Sequence, residues 1–242
     1  MKSYGDVKMV LYGTLVNAVF IIIGSLLGLF FTKIPERYKE TVMHGIGLAV
    51  ILIGLQMAFE TEVIIVVLLS LLTGAIIGEW LHLEEGLNRL GSWIGSKFTT
   101  KNSDFSIAQG FVTASLIFVI GAMSVIGALD SGLRGDHEIL ITKGVIDGFV
   151  GLVLTTTLGF GVIFSVIPVL LYQGAIALLA TQIDQWLPAA FLNGMIVELT
   201  AVGGLLILAI GLNLLKITQI RIGNLLPSIA TVGIIYYIYQ LM

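Results

Sequence analysis

From Met9 to Met242 the chain reads as long apolar runs divided by short charged or Gly/Pro-containing breaks. Most runs reach the roughly 17 to 25 residues that a helix needs to cross a bilayer, and the apolar–polar alternation of a membrane barrel is missing. Taking the breaks as turns predicts an all-α, polytopic membrane protein of about eight spans: Met9–Thr32, Thr41–Phe59, Val63–Leu81, Ile107–Leu129, Ile139–Leu158, Val162–Ala180, Pro188–Leu215 and Ile222–Leu241. The boundary between the fifth and sixth is the least defined. Thr155, Thr156, Thr157, Gly159 and Gly161 leave little room for a loop, so two spans or one broken helix fit equally, and Pro168 is placed to kink the sixth span.

The same pattern gives one transmembrane domain over residues 1–242, interrupted by a polar segment at 84–106. Leu83, Leu87, Leu90 and Ile94 share one helical face there, with Arg89, Lys97 and Lys101 off it. This predicts an interfacial helix with Trp93 at headgroup depth, followed by a connector.

Composition sharpens the class. Apolar residues make up 57% of the chain and charged ones 11%, with a mean hydropathy of +1.05, whereas a soluble domain carries about 25% charge. Glycine is abundant, as helices that pack closely in lipid require. The absence of cysteine removes disulfides and thiolate metal sites, and a net charge of −3 gives no reason to expect a nucleic-acid partner. Lys2 and Lys8 precede an apolar run too long for a signal peptide, so it reads as a retained first span.

Charge also orients the chain. With eight spans, Lys33, Arg37, Lys39, Arg89, Lys97, Lys101, Lys216 and Arg221 share one side, while Lys2, Lys8 and Arg134 share the other. The positive-inside rule then places both termini outside the cytoplasm and the 84–106 segment within it.

Sliding the sequence by 157 positions sets Gly47-Leu48 on Gly204-Leu205 and Ile53-Gly54-Leu55-Gln56 on Ile210-Gly211-Leu212-Asn213. At 156, Asn17-Ala18 meets Gln173-Gly174. Spans one to three thus correspond to spans six to eight, and a shift of five spans reverses direction through the membrane. The expectation is an inverted repeat, an architecture of secondary transporters in which sites form where the halves meet.

Ionisable groups in lipid are costly and mark functional positions. Asp147 and Glu198 fall near the expected middle of their spans, and Lys143 lies four residues before Asp147, on the same helical face. If Lys143 neutralises Asp147, Glu198 is left unpaired; the three are therefore the expected ion-coupling residues, a static packing network being the alternative. Asn17, Gln56, Gln173, Asn193, Asn213 and Asn224 are expected substrate contacts, since amides both donate and accept. Gly121-Ala122-Met123-Ser124 and Gly203-Gly204 are expected to break their helices. No zinc-ligand spacing, nucleophile elbow or P-loop occurs, so neither metal, cofactor nor enzymatic activity is predicted.

The runs Gly13-Thr14-Leu15-Val16-Asn17, Gly110-Phe111-Val112-Thr113-Ala114-Ser115-Leu116, Gly121-Ala122-Met123, Gly132-Leu133-Arg134-Gly135-Asp136, Pro168-Val169-Leu170-Leu171-Tyr172-Gln173-Gly174 and Ile222-Gly223-Asn224-Leu225-Leu226-Pro227 together resemble the YdfK/YqgA-like group of bacterial membrane proteins, a domain of unknown function. The resemblance covers nearly the whole chain and implies a multi-span protein of the bacterial inner membrane. It brings no substrate with it. The expectation from the residues is a secondary transporter of a small polar, cationic or zwitterionic solute coupled to H+ or Na+. A passive channel, or a membrane interaction or regulatory protein, are the alternatives. Beyond lipid, solute and ion, self-association would suit so small a bundle.

Overall fold

The computed structural model describes residues 10–30, 36–89, 107–120 and 122–242. All regular structure among them is helical. The long elements are α1 (Tyr12–Phe30), α2 (Glu36–Ala58), α3 (Ile64–Leu81), α4 (Ile107–Val119), α5 (Ala122–Leu133), α6 (Glu138–Leu158), α7 (Val166–Trp186) and α8 (Ala189–Leu214). A single turn, α9 (Ile222–Leu225), then precedes α10 (Ser228–Gln240). Residues 83–89 form a short helical segment with Leu83, Glu84 and Leu87 turned inward. This fits the expected apolar face as far as Leu87; Leu90, Trp93, Ile94, Lys97 and Lys101 lie outside the described residues.

Among the described residues, five helical stretches are long and apolar enough to cross a membrane, and the α4–α5 pair, bent by 59°, makes a sixth. Their outer faces are apolar: Leu15, Val19, Ile23 and Leu26 of α1 and Leu68, Leu72 and Ile76 of α3 are all exposed. In water such faces would aggregate. In a bilayer they meet their own solvent, and the helices satisfy their backbone internally.

One of the five stretches runs 46 residues, from Glu138 to Ile183, about 70 Å if straight and more than twice the hydrocarbon thickness. It doubles back instead. The 3₁₀ segment Gly159–Ser165 joins α6 to α7, and Gly159 adopts φ +72°, a left-handed conformation that stops α6 at Leu158. Gly110 of α4 meets Leu158, while Phe118 meets Gly151, so α4 and α6 are antiparallel. Ser124 of α5 meets Gln173 and Gly132 meets Ala177, so α5 and α7 are parallel.

Glycine lines the two most extensive helix contacts. Along the parallel α1–α6 pair, a Cβ on Gly24 would stand 1.8 Å from the Gly148 carbonyl oxygen, and one on Gly28 would stand 2.5 Å from that of Leu152. Gly24 with Gly28, and Gly144 with Gly148, are small residues spaced four apart, the signature of backbone-to-backbone approach in membranes. Across the antiparallel α2–α8 pair, Gly54 faces Gly204 and Gly47 faces Gly211.

The bundle has two distinct ends. At one, the Ser131 hydroxyl donates to the Val10 carbonyl at 2.7 Å, and Leu129 packs with Ala180 and Ile196. At the other, Gly161 abuts Ile107, and α8 turns at Lys216 in a left-handed conformation, φ 57°. Amides of Lys216 and Ile217 there bond the carbonyls of Asn213 and Leu212, closing the helix C-terminus.

Two sequence-based expectations need correction. Gly203-Gly204 does not break its helix: α8 runs unbroken from Ala189 to Leu214, because the two glycines admit Ile120 on one side and the α2 backbone on the other. The sixth span begins at Val166, not Val162, so Pro168 falls in its first turn, where its missing N–H costs no helical bond. The last span keeps its expected place, Ile222–Gln240, and opens with the turn α9 ahead of Pro227. The fourth span is broken as expected, between Val119 and Ala122, with Gly121 outside the described residues, and the Ser124 hydroxyl donates to the Phe118 carbonyl across the break at 3.0 Å.

Candidate functional site

Lys143 and Asp147 lie one turn apart on α6, both almost wholly buried, with Lys143 Nζ donating to Asp147 Oδ2 at 2.5 Å. The Asn17 side chain of α1 approaches the same carboxylate and interacts with it electrostatically. Asn17 Nδ2 donates to Gln173 Oε1 of α7 at 3.2 Å, and Gln173 Nε2 donates to the Ser124 hydroxyl of α5 at 3.4 Å. Four helices thus feed one chain of polar groups. The α1–α6 glycines are what bring Asn17 within reach, since Gly144 lies 3.0 Å, measured from an added Cβ, from the Asn17 Cα.

This chain is not fully satisfied. Asn17 Oδ1 and, at other levels of the α1–α6 pair, the hydroxyls of Thr14, Ser25 and Thr155 are buried without a hydrogen-bond partner among the described residues. Buried polar groups usually find one, and each orphan costs about 1–3 kcal/mol. The network therefore has spare bonding capacity in its core.

Glu198 departs from the expectation. It is 1% exposed yet far from unpaired: Oε2 accepts the Thr61 hydroxyl at 2.7 Å, and Oε1 accepts the backbone N–H of Glu62 at 3.0 Å and of Val63 at 2.9 Å. The α2–α3 turn packs onto α8 at this level, and a carboxylate there meets the orphan amides and positive end of α3. Val63, the N-cap of α3, supplies no side-chain cap of its own. That missing local cap is the sequence signal that α3 needs a partner from elsewhere.

A second polar region lies at the bundle end bearing Lys216 and Arg221. Arg221 Nη1 donates to Glu79 Oε1 at 2.7 Å and Asn224 Nδ2 to Glu79 Oε2 at 2.6 Å. Asn224 Oδ1 accepts the Glu84 amide at 2.8 Å, and Glu84 Oε2 accepts the Gly223 amide at 2.7 Å. These bonds clamp residues 83–89 against α9 and leave a cavity of about 210 Å³ whose lining includes Glu84, Gln109, Thr113, Ile210, Asn213 and Ile222. It opens into a mouth beside Glu79, His82 and Arg221.

Of the expected residues, Lys143, Asp147, Asn17 and Gln173 come together in the core. Asn224 and Asn213 belong instead to the end cavity, and Glu198 stands apart from both. Asn213 spends its amide on the chain itself, accepting from the Thr218 hydroxyl and the Ile220 amide and donating to the Ile220 carbonyl. Gln56 and Asn193 do not line a path, contrary to expectation; both are exposed. Gln56 lies two residues from Gly54, which at about 100° per residue turns it away from α8. Asn193 sits in the first turns of α8, beyond the level that the α2–α3 turn covers. Because α2 and α8 cross antiparallel, the matched residues Gln56 and Asn213 lie at opposite ends of the crossing. Sequence reading missed Glu79, Glu84, Gln109 and Thr113, whose partners are roughly 100 or more residues away or absent. Among the described residues no cluster of three His, Asp or Glu is placed to hold a metal.

The fold and its buried network define a polytopic helical membrane protein with an ionic core. Its family is shown by comparison: residues 12–237 match the model described as "Protein of unknown function (DUF554)", and the chain belongs to that family. It is similar to the "Uncharacterized membrane protein YdfK" of Bacillus subtilis (strain 168), 34% identical over 94% of this chain and 96% of that one. It is also 32% identical to the "Uncharacterized protein YqgA" of Escherichia coli (strain K12), over 90% and 92% of the two chains. No solved structure matches.

Proposed function

We propose that this protein is a secondary transporter of a small cationic or zwitterionic solute, coupled to H+ or Na+ through the Asp147–Lys143 pair. The observation that carries the reading is the buried chain Lys143–Asp147–Asn17–Gln173–Ser124, which links four helices and still holds an unsatisfied amide oxygen. An apolar core would hold these helices without such cost, and a buried ion pair adds little net stability. An ion arriving at Asp147 competes with Lys143 for the carboxylate, so the helix contacts made through Asn17 change with ion occupancy. That is the differential interaction a two-state carrier needs.

The repeat supports the same reading. Under the 157 shift Gly47 maps to Gly204 and Gly54 to Gly211, and the observed Gly54–Gly204 contact then maps onto the observed Gly211–Gly47 contact. Asn17 and Gln173, paired by the 156 shift, bond each other directly. Contacts that map onto themselves are what a two-fold axis between inverted halves requires. We count α1, α2, α3, the bent α4–α5, α6, α7, α8 and the broken α9–α10 as eight passes. With Arg89, Lys216 and Arg221 at one end against Arg134 at the other, the positive-inside rule puts the end cavity in the cytoplasm and both termini outside. Along α4 the fully buried Phe118 separates Thr113, in the cavity, from Ser124 of the network, a closed layer that suits a carrier.

The test is uptake by proteoliposomes of a panel of small amines and amino acids under an imposed proton or sodium gradient. Gradient-dependent uptake that Asp147→Asn abolishes and Glu198→Gln retains supports the reading. Gradient-independent conductance would identify a channel instead, and a panel showing no flux in the wild type would remove transport altogether.

A further inference from the structure

The end cavity carries a carboxylate that no cation among the described residues balances. Glu79 is neutralised by Arg221 at 2.7 Å, and Glu85 pairs with Arg89 at 3.5 Å. Glu84, half-buried in the cavity wall, takes only the Gly223 amide and has no cationic partner among the described residues. Facing the same space is Thr113 of α4, 2% exposed, whose hydroxyl has no partner among the described residues. Gln109, one helical turn away on α4, adds an amide to the lining. Leu87, Val112, Ile210 and Ile222 supply apolar wall, beside the further amides of Asn88 and Asn213.

We propose that this cavity binds a small organic ammonium ion. Its charge sits against the Glu84 carboxylate, its N–H groups donate to Glu84, the Thr113 hydroxyl and the Gln109 carbonyl, and its carbon body lies on the four apolar side chains. Three observations favour this chemistry over others. A carboxylate lacking a counter-ion repels anions. The apolar part of the lining suits a carbon body, which a hydrated metal ion lacks. A volume of about 210 Å³ admits a solute of a few heavy atoms. The primary ammonium has two sources at a membrane surface, a free amine in the cytoplasm and the headgroup of phosphatidylethanolamine. The proposal names the substrate class of the transport reading and rests on that reading for its role, while binding is measurable without transport.

The experiment uses the full chain in nanodiscs of phosphatidylglycerol, with n-butylammonium as the probe and n-butanol and butyrate as neutral and anionic controls of similar shape. Saturable binding at millimolar concentration, read as a rise in melting temperature, is expected for the cation alone. Glu84→Gln should weaken it at least tenfold and Thr113→Val several-fold, while Glu138→Gln, at the opposite end of the bundle, leaves it unchanged. The ligand-free melting temperatures of the Thr113 and Glu84 variants verify folding, and the nearly isosteric Thr113→Val keeps the test valid if Glu84→Gln unfolds. Repeating the titration with phosphatidylethanolamine in the disc separates the sources: competition by the lipid assigns the site to the headgroup, and unchanged affinity assigns it to the free amine. Equal binding of butanol, or affinity indifferent to both variants, overturns the proposal. Lost ammonium binding with Asp147-dependent uptake intact would sink the cavity but not the transporter, and binding without any uptake would do the reverse.

Discussion

Removing one member of the buried ion pair is the most informative perturbation. At 2.5 Å and an effective dielectric constant of about 20, Lys143 and Asp147 attract by roughly 7 kcal/mol, against a desolvation cost of several kcal/mol for each ion. The two nearly cancel, so the intact pair is close to neutral for stability. Lys143→Met cancels the attraction and strands the carboxylate, which costs about 3–5 kcal/mol when a buried pair is broken. For a chain of this size each kcal/mol lowers the melting temperature by about 2–4 °C, so a drop on the order of 10 °C is expected. The double variant Lys143→Met/Asp147→Leu removes both charges together and should recover most of that loss, while gradient-driven uptake stays abolished. The assay is a double-mutant cycle of thermal unfolding in detergent, run beside proteoliposome uptake. Single variants that melt within about 1 kcal/mol of wild type would refute the claim that the pair is dry and mutually dependent. A double variant that transports normally would refute its role in coupling.

The same geometry fixes other expectations. Gly204→Val places a Cβ 2.5 Å from the Ala58 amide nitrogen and should cost about 1–3 kcal/mol or more of stability by overpacking, whereas Gly45→Ala, with nothing within 4 Å, should be neutral or gain up to about 1 kcal/mol of helix propensity; thermal unfolding distinguishes them. Glu198→Gln exchanges an acceptor for a donor and should cost about 1–3 kcal/mol, with most of it shared with Thr61→Val in a double-mutant cycle. The chain has no cysteine, so single cysteines replace exposed residues cleanly. Arg134→Cys should react with a membrane-impermeant maleimide in intact cells, and Lys216→Cys should react only after lysis; the reverse pattern would invert the assigned orientation.

How much of this was legible in the sequence depended on the range of the physics involved. The all-helical membrane class comes from composition and run length, because lipid penalises any unpaired backbone wherever it falls along the chain. The Lys143–Asp147 pair was equally local, since four residues on one helix are neighbours in any fold. The Asn17–Gln173 match also survived, because that pair lies where α1 and α7 cross. The Gln56–Asn213 match did not become a contact, because antiparallel helices meet only near their crossing and separate equivalent residues towards the ends. Glu198 shows the opposite case: its identity and burial were readable, but the turn that satisfies it lies some 135 residues earlier in the chain, and no pattern in the sequence announces that approach.

The sequence by itself thus determined which solvent the chain folds in, where most of its helices run and which apolar helices carry ionisable groups, since each of these is settled within a single segment. Only the tertiary structure decided which of those groups are satisfied and which remain available. It caps α3 with Glu198, balances Glu79 with Arg221, and among the described residues leaves Asn17 Oδ1 without a hydrogen-bond partner and Glu84 without a cation. The reason is that hydrogen bonding and charge neutralisation act over a few ångströms, and glycine contacts between distant segments are what bring most of those partners within that distance.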